Sequence, residues 1–62
     1  MGDHETALEY LIKAMRIQEQ KLPPDRPKLA ASYRNVASVY EAMGEHDKAR
    51  EYQTKAAKIL DA

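Results

Sequence analysis

Cysteine, tryptophan and phenylalanine are all missing from the 62 residues, and glycine occurs only twice. Without cysteine there is neither a disulfide framework nor a thiolate metal site. Two glycines cannot build a phosphate-cradling loop, and no such motif occurs. An excess of either charge is also lacking: ten Lys plus Arg balance ten Asp plus Glu, and no basic block stands out. No nucleic-acid partner is expected, because such binding needs a basic patch that releases phosphate counterions. Large aliphatic residues adjoin at most in pairs, as at Leu11-Ile12. That is far short of the roughly 20 apolar residues of a membrane span. The start Met1-Gly2-Asp3-His4-Glu5 has no charged-then-apolar secretory pattern. No membrane association is expected, and the cytoplasm is the expected compartment.

The apolar residues that are present are small. They comprise 10 Ala, 5 Leu, 3 Ile, 2 Val, 3 Met and 4 Tyr, which implies a thin, alanine-spaced core. A chain this short retains only roughly 3–5 kcal/mol of net stability once conformational entropy is counted. Neighbours, whether a second copy or further repeats, are therefore expected to matter.

Periodicity is helical throughout. Ala7, Tyr10, Leu11, Ala14 and Ile17 recur at the spacing of one helix face, predicting a helix over about 3–22 with Asp3 as its cap. Glu9 and Lys13 are expected to pair on its wet side. Pro23, Pro24 and Pro27 break this pattern, since each lacks an N–H and constrains the residue before it. Pro27 suits the first position of a second helix, over about 27–43, with Leu29, Ala30, Tyr33, Val36, Ala37 and Tyr40 as its stripe. Gly44 ends that helix by taking a left-handed conformation. A third helix over about 46–60 carries Ala49, Tyr52, Ala56 and Ile59 on one face.

The chain also repeats itself. Residues 2–20 lie over 44–62 without a gap, at an offset of 42, with eight of 19 pairs identical and four more conserving charge. Gly2, His4, Ala7, Glu9, Tyr10, Lys13, Ala14 and Ile17 return as Gly44, His46, Ala49, Glu51, Tyr52, Lys55, Ala56 and Ile59. Self-similarity at this period signals stacked helix pairs.

The spacing Tyr33, Val36, Ala37, Tyr40, Gly44, Ala49, Ala56 resembles the tetratricopeptide repeat. In that family helix A carries a bulky–bulky–small–aromatic pattern and helix B two spaced alanines. The period of 42 and the run Leu22-Pro23-Pro24-Asp25-Arg26-Pro27-Lys28-Leu29-Ala30 look like its kinesin-light-chain subclass. The resemblance implies an all-α helical hairpin repeat, a single unit over 1–62, with three helices in B-A-B order around a proline-rich turn at 23–26. It also implies a non-enzymatic protein-interaction module, a scaffold or adaptor with a protein or peptide partner.

In such repeats the face of helix A opposite its packing stripe lines a concave groove for an extended peptide. Here that face carries Ala31, Arg34, Asn35, Ser38, Glu41 and Ala42. Asn35 matches a family asparagine whose amide can pair with a peptide backbone N–H and C=O together. Arg34 replaces a second asparagine, and its guanidinium favours an acidic side chain or a C-terminal carboxylate. The plainer reading is a solvated polar face, since a groove needs several repeats.

Leu8, Leu11, Ile12 and Met15 become Arg50, Gln53, Thr54 and Ala57 in the second copy, so the first helix is apolar where the last is wet. The last helix therefore reads as a capping element. Ala7, Tyr10, Ala14 and Ile17 lack a helix A to pack on, which opens a rival function: structural self-assembly into a homodimer or higher oligomer through this stripe. The four tyrosines are otherwise expected to fill the core. His4 and His46 occupy one repeat position without enough converging ligands for a metal. No nucleophile–base arrangement occurs, so neither catalysis, cofactor nor metal is expected. Met1-Gly2 with Thr6 fits the loose acylation pattern, but the repeat already accounts for Gly2.

Overall fold

A computed structural model describes residues 3–61; Met1, Gly2 and Ala62, and with them the acylation reading, lie outside the described residues. Three helices follow one another: α1 (His4–Glu19), α2 (Arg26–Ala42) and α3 (His46–Asp61). The described residues contain no strand. Helix α2 packs along both α1 and α3 and so forms the centre of the unit.

Each boundary has a local cause. The Asp3 carboxylate accepts the backbone N–H groups of Glu5 and Thr6 at 3.1 and 3.2 Å and the Thr6 hydroxyl at 2.7 Å. These bonds, the hydroxyl first, hold its pKa below the ordinary value. Helix α1 stops at Glu19, three residues short of the expected end, because Pro23 disfavours helical geometry at Leu22 and the rings of Pro23 and Pro24 would clash with helical carbonyls four residues earlier, at Glu19 and Gln20. Helix α2 starts one residue before Pro27. Asp25 caps it, its carboxylate accepting the Lys28 N–H at 3.2 Å, and Pro27 follows within the first turn, where its missing N–H costs nothing.

At its other end, Gly44 has φ 82. Its N–H bonds the Glu41 carbonyl at 3.0 Å, and the Glu45 N–H reaches the Tyr40 carbonyl at 2.8 Å. This pair of bonds is a Schellman closure, which requires the left-handed residue that glycine supplies most cheaply.

The core centres on α2. Val36 is completely buried, and Leu29, Ala30, Tyr33 and Ala37 share its burial. Sequestering a side chain such as Val36 stabilises the fold by about 1.5–3 kcal/mol. Ala49 and Ala56 of α3 are each 1% exposed, so the two backbones approach closely where the alanines meet α2. Met15 is buried from the α1 side, with Leu8, Leu11 and Ile12 packed around it.

Tyrosines close the gaps around the alanines. Tyr52 stacks on Tyr40 at 5.7 Å between ring centres and tilts against Tyr33 at 6.0 Å. Lys55 Nζ lies 5.0 Å from the Tyr52 ring centre and 5.8 Å from that of Tyr33. The Tyr33 hydroxyl donates to Glu19 Oε2 at 2.6 Å, tying the end of α1 to α2.

Two expectations need correction. Tyr10 does not join the aromatic core: it is 73% exposed, because no helix stands opposite its side of α1. Glu9 and Lys13 form no ion pair; among the described residues the side-chain ion pair is Glu41 with His46. Both residues of the expected pair are exposed, where rotamer entropy offsets the small Coulomb gain.

Candidate protein-interaction groove

Helical periodicity turns one face of α2 away from both neighbours. Arg34, Ser38, Glu41 and Ala42 fall on that face at spacings of 4, 3 and 1. Together with Gln53 from α3 they line an open groove of about 640 Å³. Four of the six residues expected on that face, Arg34, Ser38, Glu41 and Ala42, are thus brought together. Ala31 and Asn35 are exposed on the same helix but do not line the groove.

Gln53 was not expected there. Its signal was present in the sequence, since it is one of the polar residues of the second copy, standing where the first copy carries Leu11. A polar residue at that position turns the wall of α3 into a hydrogen-bonding surface, because the amide both donates and accepts.

The two charges of the groove are not equivalent. Glu41 is engaged: both of its carboxylate oxygens lie 3.0 Å from His46 Nδ1. Among the described residues Arg34 has neither a hydrogen bond nor an ion pair within the chain. Its fork of donors is therefore available to an incoming carboxylate, which it can grip bidentately. Between them, Ser38 and Gln53 offer neutral donors and acceptors over a mostly apolar floor.

This arrangement suits recognition. Among the described residues no three metal-ligating side chains cluster. Nor, among the described residues, is any helix long and apolar enough to cross a membrane.

The helix order, the alanine-mediated crossing and the Gly44 closure coincide with a family-level match. A model of the tetratricopeptide repeat matches residues 1–62. The chain belongs to the tetratricopeptide repeat family. Tetratricopeptide repeats generally mediate protein–protein interaction and are typically non-enzymatic. Searches of curated proteins and of solved structures each returned no match. Within a tetratricopeptide repeat, α2 and α3 are helices A and B of one hairpin and α1 is a helix B preceding it.

The other sequence-expected site lies on α1. Tyr10 and Ile17 are 73% and 66% exposed, Ala7 is exposed and Ala14 half-buried. This stripe shares no residue with the α2–α3 groove.

Proposed function

We propose that the chain is a scaffold or adaptor module whose α2–α3 groove holds an extended peptide with an acidic side chain or a free C-terminal carboxylate. The observation that carries this reading is the asymmetry of charge in the groove: Glu41 is occupied by His46, while among the described residues Arg34 has no partner within the chain and is exposed. An anion arriving at Arg34 meets an uncompensated guanidinium, with Ser38 and Gln53 positioned to bond the peptide backbone beside it. The period of 42 and the Leu22–Ala30 run favour the kinesin-light-chain-like subclass for this repeat. A second reading, self-assembly through α1, rests on the exposure of Tyr10 and Ile17.

Calorimetric titration with an acidic peptide ending in a free carboxylate tests the groove. Arg34→Ala should weaken binding about tenfold or more with unchanged helicity, in keeping with the loss of a charge-assisted hydrogen bond. Amidating the peptide C-terminus should reproduce part of that loss. Equal affinity for the parent and the variant would refute the assignment.

A further inference from the structure

The α2–α3 groove carries a second charge whose partner is exchangeable. Glu41 stands seven residues beyond Arg34 on the same face of α2, two helical turns or about 10.5 Å along its axis. Its side chain is 47% exposed, and its partner among the described residues is His46 Nδ1, 3.0 Å from both carboxylate oxygens. One ring nitrogen carries at most one proton. The contact therefore uses only part of what a carboxylate can accept.

The side chain that fills this place is a cation for only part of the pH range. Histidine gains and loses its charge between about pH 5 and 8. While charged, His46 neutralises Glu41; once neutral, it leaves a full negative charge in the groove. No other group takes over that role. On α3, Lys48 lies 5.5 Å from the Tyr40 ring centre, Arg50 stands one turn beyond His46 without an ion pair to Glu41, and Asp47 and the preceding Glu45 are themselves acidic. On α2, Arg34 forms no ion pair with Glu41, and α1 does not pack on α3. The imidazole is 71% exposed, so an incoming cation can displace it.

A peptide that engages Arg34 and Glu41 together needs its own charges at a matching spacing. In a polyproline-II strand, side chains three residues apart share a face and lie about 9 Å apart, close to the separation of the two groove charges. In a flat β-strand the same-face positions are two or four residues apart, about 7 or 14 Å, which fall short of it or overshoot it.

We propose that Glu41 is a second recognition point of the groove, taking a Lys or Arg three residues before the C-terminal residue whose carboxylate Arg34 holds, with His46 as its occupant while the imidazole is charged. Resting on the peptide-groove reading, this second point narrows the partner to a bipolar peptide, acidic at its end and basic three residues earlier. Recognition then depends on pH, because a basic side chain and a charged imidazole compete for one carboxylate.

Calorimetric titration of the full chain with two acetylated peptides provides the test. Both end in an acidic residue with a free carboxylate. They differ only three residues earlier, where one carries lysine and the other norleucine, which keeps the apolar stem and removes the charge. No group of either peptide titrates appreciably between about pH 5.5 and 8, and His4, on α1, affects both alike. At pH 8 the lysine peptide should bind about two- to fivefold more tightly than the norleucine peptide, the range of an exposed ion pair. At pH 5.5 that preference should shrink towards unity. His46→Ala should restore it at pH 5.5, and Glu41→Gln should abolish it at both pH values. Lysine one or five residues before the end should bring no such gain. Circular dichroism checks that these exposed substitutions keep the helices. Equal binding of the two peptides at pH 8, with Arg34→Ala weakening both, would overturn the second recognition point and leave the groove standing. A preference that survives Glu41→Gln, or one that pH does not alter, would overturn it as well. Failure of both peptides to bind would sink the groove and its second point together.

Discussion

The hydrogen bond from Tyr33 to Glu19 makes alkaline pH a sharp test of how α1 is held to α2. Burial, followed by the 2.6 Å bond to the Glu19 carboxylate and that group's negative charge, pushes the Tyr33 phenol up from 10.0 to about 12. A phenol with a higher pKa in the folded chain than in the unfolded one favours the folded state while it is protonated. That contribution is complete below about pH 10 and is lost as the pH rises through about 12. The separation between the two values corresponds to about 2–3 kcal/mol. A chain this short has only roughly 3–5 kcal/mol in total, so the loss should dominate its alkaline behaviour. Burial and the neighbouring Tyr40 raise Tyr52 as well, in the same direction. Tyr33→Phe isolates the Tyr33 share. It should cost about 1–2 kcal/mol near neutrality, the worth of a hydrogen bond to a partly solvated carboxylate. Its stability should then fall less steeply than the parent's above about pH 10. Urea denaturation followed by circular dichroism at a series of pH values reads the difference, and near-ultraviolet tyrosinate absorbance times the ionisation. Parallel stability curves for the parent and Tyr33→Phe would refute the reasoning.

Two further outcomes follow from the packing. Ala37→Leu places a branched side chain at a position 1% exposed on the central helix, and overpacking there should cost about 1–3 kcal/mol in urea denaturation. Gly44→Ala meets no atom within 4 Å, so its cost is the backbone strain at φ 82 alone. It should be about 1 kcal/mol, visible as a lower urea midpoint with unchanged slope.

Much of this architecture is legible in the sequence because it is written in residue size and backbone constraint. Ala37, Ala49 and Ala56 mark the close crossings, and Gly44 marks the closure between α2 and α3. Three prolines mark the break after α1. The exact start of α2 was less legible, since Pro27 suits the first helical position but Asp25 outcompetes that reading by supplying a capping carboxylate. Tyr10 shows a deeper limit. Its local pattern matches that of Tyr52, yet one is exposed and the other half-buried, because burial depends on the helix opposite and not on the stripe. The Tyr33–Glu19 bond joins residues 14 apart, and only the crossing of α1 over α2 brings them together. In the candidate groove, periodicity on α2 sufficed to gather Arg34, Ser38 and Glu41, whereas Gln53 enters from a second helix and needs the packing angle.

Backbone-amide NMR spectra of the chain, titrated with an acidic peptide bearing a free C-terminal carboxylate, report on the groove residue by residue. Saturable shifts should concentrate at Arg34, Ser38, Ala42 and Gln53, all lost in Arg34→Ala while the rest of the spectrum stays dispersed. Shifts confined to α1, or no shifts at millimolar peptide, would contradict the groove assignment.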